Sequence, residues 1–217
     1  MKDKGKKGLC AGAVLLLIFA LWTALILRVD VQPVGQNGTN IGFAALNTRF
    51  HALTGVHMGL YTVTDWLGLV PIAVCLCFGA LGLSQMIRRR SLLRVDPDIL
   101  LLGAYYVLVI LCYLLFEMIP INYRPIPIDG AMEASYPSST TLLVLSVMPT
   151  LIFQADRRAK SPAAKTAAAL FAVLFSAFMV IGRLVSGVHW LTDIIGSVLL
   201  SAGLYILYRS AVILMDP

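Results

Sequence analysis

The sequence predicts an all-α membrane protein, a single domain over residues 1–217 built as a bundle of six transmembrane helices. Three observations carry that prediction: composition, the recurrence of long apolar segments, and the placement of basic residues. Apolar residues fill 59% of the 217 positions, charged residues only 13%, and mean hydropathy is +0.86. Soluble domains carry about a quarter charged residues. Six apolar segments recur, each near the roughly 20 residues that cross a bilayer. Inside lipid they must be helices, because every backbone polar group has to be satisfied internally. The net charge of +6 and pI near 9.3 raise the question of nucleic acid. No basic patch interleaved with aromatics supports that partner, so none is expected. The bilayer is the expected surroundings.

The first segment, about 9–28, follows Lys2, Lys4, Lys6 and Lys7. It is too long for a signal peptide and has no A-x-A cleavage pattern, so it reads as a retained first helix. The remaining segments run over about 62–86, 98–119, 138–155, 164–185 and 190–212, the fourth being the shortest. Arg88, Arg89, Arg90 and Arg94 separate the second and third segments, and Arg157, Arg158, Lys160 and Lys165 the fourth and fifth. With Arg209 near the end of the sixth, 13 of the 17 basic residues fall on one side. The positive-inside rule makes that side cytoplasmic, together with both termini. A count of five or seven helices would break the pattern. Only Arg28, Arg49, Arg124 and Arg183 remain for the outer side.

The stretch 30–60 is the longest outside the spans, and Ile41–Phe50 is apolar enough for a short interfacial helix. His51 and His57 are six apart and do not share a helical face, so they read as interfacial polar residues. Asn37-Gly38-Thr39 matches a glycosylation sequon. Cys10, Cys75, Cys77 and Cys112 lie in apolar runs and read as small buried hydrophobes, with neither disulfides nor a metal site expected.

Charge and hydroxyl groups beside apolar helices are expensive and usually functional. They concentrate in three stretches at outer helix ends: Asn122–Pro125, Ser135–Thr140 and Gly182–Asp193. Together these can make an anion site. Pro137 suits a first helical turn, where Ser138 and Ser139 add hydroxyls to free backbone N–H groups, a ready phosphate cradle. Arg124 and Arg183 can clamp phosphate oxygens with planar guanidinium forks. His189 and Asp193 are spaced i, i+4, which places them on one helix face. Asp193 can then hold Nδ1–H and free Nε2 for attack or proton transfer. Taken singly, each feature also has an ordinary structural reading: an interfacial anchor, a hydrogen-bonded pair, a helix start.

The spacing Arg183-(five residues)-His189-(three residues)-Asp193, downstream of Arg124-Pro125 and Pro137-Ser138, resembles the type 2 phosphatidic acid phosphatase superfamily. The likeness covers about 98–212. It implies a six-helix core and metal-free, cofactor-free hydrolysis of lipid phosphates through a phosphohistidine on the outer face. By that resemblance His189 is the nucleophile, Asp193 its orienting partner, and Arg124 and Arg183 the clamps, while Ser138, Ser139 and Thr140 complete the cradle. The sequence departs from the pattern at four positions: Glu117 stands for a Lys, Ser139 for a Gly, Thr140 for a His, and Gly182 for a Ser. The implied general acid at position 140 is therefore missing. General acid help is worth about 10²–10⁴-fold in rate. A lipid diphosphate expels a phosphate monoester with a second pKa of about 6, which needs no such help. The expected substrate is accordingly a diphosphate, such as a polyprenyl diphosphate. Asp129, Glu133, His51 and His57 are alternative proton donors. A lipid phosphotransferase and a non-catalytic lipid-phosphate binder or transport partner are the competing readings.

Overall fold

The computed structural model describes residues 2–216. Six apolar crossings are formed by α1 (Lys2–Ile26), a second crossing made of α3 (Met58–Leu67) and α4 (Leu69–Arg89), then α5 (Pro97–Met118), α6 (Ser139–Arg158), α7 (Pro162–Val185) and α8 (Leu191–Met215). A short helix, α2 (Ala44–Thr54), lies in the connection after α1, on the stretch expected to hold one. No strand occurs among the described residues. The first crossing begins before residue 9, because the lysine-bearing segment from Lys2 is already helical. The second runs longer than its apolar core, over 32 residues, and breaks at Gly68. Pro97 and Pro162 open α5 and α7, where the missing proline N–H costs nothing.

The outward surface is apolar: Leu17, Leu76, Ile110 and Leu174 are all exposed, as suits side chains that meet lipid. α6 and α8 are the most enclosed crossings, and α8 packs along both α1 and α6. Apolar contact supplies little drive between helices in lipid, so close packing of small residues and polar links must hold them together. The α1–α8 seam shows this. A methyl group on Gly8 would fall 2.1 Å from Ser210 Oγ, and one on Gly12 would fall 2.8 Å from Leu207 Cδ2. On the opposite wall, a methyl on Gly203 would lie 2.7 Å from Leu16 Cδ2. Around α6 the links are polar. Tyr106 shares a hydrogen bond with Thr150 Oγ1 at 2.6 Å, and Gln154 donates to the Tyr208 hydroxyl at 2.8 Å. Pro149 interrupts the backbone ladder inside α6. Beside it, Tyr105 donates to the Ser146 carbonyl and the Thr150 hydroxyl to the Val147 carbonyl, so side chains supplement the weakened ladder.

The alternation of six crossings gathers the basic connections at one end of the bundle. There Asp98, nearly buried, meets Arg158 at 3.0 Å and Arg157 at 3.3 Å, and Arg157 also meets Asp216 at 2.7 Å. Asp96 meets Arg89 at 2.8 Å. Burial alone would raise the Asp96 carboxyl, but hydrogen bonds from Arg89 and Gln85, aided by the Arg89 and Arg158 charges, hold it below the usual carboxylate range. These pairs tie the α4–α5 turn to the end of α6. The residues singled out as reactive lie at the other end.

The glycine seam gives a first prediction. Gly12→Leu should force α1 away from α8 and lower bundle stability by about 1–3 kcal/mol, as overpacking does. The unfolding midpoint of the purified protein in detergent measures it. A midpoint equal to that of wild type would show that the seam is not tight.

Candidate active site

His189 lies just before α8, and Asp193 is the third residue of that helix. The pair therefore does not share a helical face, contrary to the i, i+4 reading. Instead, the Asp193 carboxylate folds back over the helix start, and Oδ2 accepts from the Trp190 backbone N–H at 2.9 Å. That turn brings Asp193 Oδ2 to 3.7 Å from His189 Nδ1, too far for a direct hydrogen bond. Ser135 closes the gap: its hydroxyl donates to Asp193 Oδ2, and its oxygen lies 3.1 Å from His189 Nδ1. This relay is satisfied only if Nδ1 carries the proton and donates it to Ser135. Nε2 then holds the lone pair. It is buried and has no partner among the described residues. Asn122 Nδ2 donates to the other Asp193 oxygen at 3.0 Å, which completes the carboxylate's shell. Burial pushes His189 down to about 4; Asp193 opposes the shift, and the Arg124 and Arg183 charges add to it. The imidazole is neutral at ordinary pH, the form a nucleophile needs.

Two guanidinium groups flank the histidine. Arg183, in the last turn of α7, is almost wholly buried and donates through Nη2 to Thr140 Oγ1 at 2.7 Å. The same nitrogen lies 3.4 Å from Asp65 Oδ1 on α3. Arg124, in the α5–α6 connection, holds Glu133 Oε2 at 3.1 Å. Both guanidinium groups stand over the Tyr61 ring, at 4.8 Å for Arg183 and 5.8 Å for Arg124. In each arginine, Nε and Nη1 are buried without a partner among the described residues. Unsatisfied buried donors of this kind are costly and rare, and these four stand beside an imidazole nitrogen in the same condition.

The backbone around these residues is fixed from several sides. The α5–α6 connection folds back on itself: Arg124 N donates to the Glu133 carbonyl, and Ser135 N to the Asn122 carbonyl. Trp190 Nε1 donates to the Tyr123 carbonyl at 2.8 Å and pins this loop to the start of α8. Gly187 has a φ of +74°, and a methyl there would fall 2.1 Å from the Gly55 carbonyl oxygen, so only glycine fits. His51 reaches the Gly187 carbonyl from α2 at 3.0 Å.

The cradle residues divide. α6 begins at Ser139, and Pro137 precedes its cap instead of entering the first turn. Thr140 reaches Arg183, and Ser139 lines a cavity that also exposes Arg124. Ser138 turns inward: its hydroxyl donates to Thr141, its N–H reaches the Asp193 carbonyl at 3.4 Å, and its carbonyl accepts from Ser197. It joins α6 to α8. Of the alternative donors, Glu133 lies in that cavity with Glu117. Asp129 occupies the 128–131 turn, and His57 bonds to the Thr54 carbonyl. Tyr61, Asp65, Asn122 and Ser135 have roles that sequence reasoning did not assign. The last two lay within stretches already singled out; the first two carried no local signal beyond polarity near an apolar span.

Comparison with curated protein sequences gives no match. Among solved structures, the chain is similar to the crystal structure of the first transmembrane PAP2 type phosphatidylglycerolphosphate phosphatase from Bacillus subtilis. The TM-score is 0.64 at 18% identity, covering 91% of this chain and 94% of that one. The likeness is one of fold. The sequence model of the PAP2 superfamily matches residues 72–213, which include most of α4 and all the residues of the His189 relay. With most of its length matched and six apolar crossings around that site, the chain belongs to the PAP2 superfamily.

Proposed function

We propose that the protein hydrolyses a lipid phosphate, as ester or anhydride, through a phosphohistidine on His189 at the non-cytoplasmic face. The observation that carries this reading is the unpartnered Nε2 of His189, oriented through Ser135 and Asp193 and flanked by the unpartnered nitrogens of Arg124 and Arg183. In the first step the Nε2 lone pair attacks phosphorus, and the bond to the lipid oxygen breaks with its electron pair on that oxygen. Arg124 and Arg183, with Thr140, Ser139 and the first backbone N–H groups of α6, hold the equatorial oxygens where charge develops. Asp193 and Ser135 stabilise the imidazolium-like ring. Water then attacks phosphorus, the P–N bond breaks, and inorganic phosphate leaves. The outer-face assignment rests on charge: the basic connections lie at the opposite end of the bundle.

Thr140 supports Arg183 and has no acidic proton near neutral pH. The leaving group is therefore one that departs without a proton from position 140, and a diphosphate meets that condition. Glu117 and Thr140 also favour a second reading, a lipid-phosphate binder without turnover.

Purified protein in detergent, assayed for phosphate release from a lipid panel, tests this. Wild type should release phosphate, faster from a prenyl diphosphate than from phosphatidic acid, and His189→Ala should abolish release. Release that survives the substitution removes His189 from the nucleophile's role. Binding without release from any lipid phosphate supports the binder, and an added alcohol acceptor that diverts the phosphoryl group reveals a transferase.

The pH profile gives an independent check. A neutral imidazole is required, so activity falls as pH drops through the His189 pKa. Since burial pushes that value to about 4, the acid limb of kcat/KM should lie near pH 4. A limb near the ordinary histidine value would mean that the imidazole is not desolvated in the free protein.

A further inference from the structure

A cavity of about 190 Å³ opens beside Arg124, between the end of α5 and the start of α6. Its lining has opposite charges on the two sides. Arg124 faces it with its side chain only 9% exposed and with Nε and Nη1 unpartnered, which calls for an anion. Glu117 and Glu133 line the same space, with Tyr113 and Phe116. Glu133 is paired with Arg124. Glu117 has no Lys, Arg or His within ion-pair distance among the described residues. It also lies in the last turn of α5, where the helix carbonyls oppose negative charge. A phosphate that draws Arg124 away from Glu133 would leave two carboxylates facing an anion.

The geometry points to a ligand that brings its own cation: a phosphate ester whose leaving alcohol carries an amine close to the ester oxygen. The phosphate lies on Arg124 and Arg183, and the ammonium lies between Glu117 and Glu133 with the Tyr113 and Phe116 rings beside it. This rests on the phosphohistidine route of the proposed function and ranks an amine-bearing ester above a diphosphate among its substrates. It also answers the lack of an acidic proton at Thr140. As His189 Nε2 bonds to phosphorus and the P–O bond breaks, the electron pair stays on the alcohol oxygen. The neighbouring ammonium stabilises that charge and then passes its proton to the oxygen, so a neutral amino alcohol departs. A diphosphate also leaves unaided, but its second phosphate would lie against the two carboxylates.

Binding decides the question. Inorganic phosphate is bound to purified protein carrying His189→Asn, which blocks turnover, and displaced by phosphoethanolamine, ethyl phosphate or pyrophosphate. Phosphoethanolamine should displace it at about tenfold lower concentration than ethyl phosphate, and better than pyrophosphate. Glu117→Gln with Glu133→Gln should erase that preference. Equal displacement by the two esters, stronger displacement by pyrophosphate, or a preference that survives both substitutions overturns the inference. An amino-alcohol lipid phosphate in mixed micelles that outcompetes free phosphoethanolamine supports a lipid source; equal competition supports a soluble ester. Phosphate binding without amine preference overturns this inference alone. Absence of any phosphate binding to both the His189→Asn and wild-type proteins overturns it together with the proposed function.

Discussion

The Asp193 carboxylate is the point on which the site depends. Its two oxygens accept from the Trp190 backbone, the Ser135 hydroxyl and the Asn122 amide. Those three donors come from the start of α8 and from both ends of the folded α5–α6 connection. One buried charge thus fixes a helix terminus, a loop and the imidazole beside them. Burial of an unpaired carboxylate would be prohibitive, so its three hydrogen bonds are a condition of the fold. A negative group in the first turn of α8 also complements the helix dipole.

The rest of the site balances around that charge. Each arginine is already paired with a carboxylate, Arg124 with Glu133 and Arg183 with Asp65, and both rest on Tyr61. Low-dielectric surroundings make such charges costly alone and strong in pairs. The bundle meets this by keeping them at one end, while uncharged hydroxyls and amides along α6 link the crossings within the apolar slab.

The six crossings were legible because spanning length and charge alternation are global signals that survive errors of several residues at each boundary. The first crossing shows the limit: Lys2–Lys7 are helical although no apolar pattern marks them. His189, Asp193, Arg124 and Arg183 were legible from spacing and chemistry. Their geometry was not. The His189–Asp193 spacing suggested one helix face, yet the helix starts between them, and Trp190 is not among the residue types that usually announce a cap. Ser135 lies 54 positions from His189 and Asn122 lies 71 from Asp193, so no local periodicity could pair them. Ser138 looked like part of the cradle because a hydroxyl at a helix start adds to the free backbone N–H groups there. Its inward turn follows from α8 packing against it. Asp65 and Tyr61 sat at the edge of an apolar segment and could be placed only by the fold.

The glycine seam between α1 and α8 bears on the order in which the site is assembled. α1 enters the bilayer long before α8 has been made, so its small-residue face waits without its partner while the intervening crossings are inserted. Joining elements this distant in sequence is slow compared with pairing neighbours. Asp193 arrives only with α8. Until that helix docks, neither Ser135 nor Asn122 has its acceptor, and the imidazole of His189 has nothing to set its tautomer. An unfinished chain in the membrane therefore carries no oriented imidazole, and the relay around Asp193 forms only with the closing of the bundle.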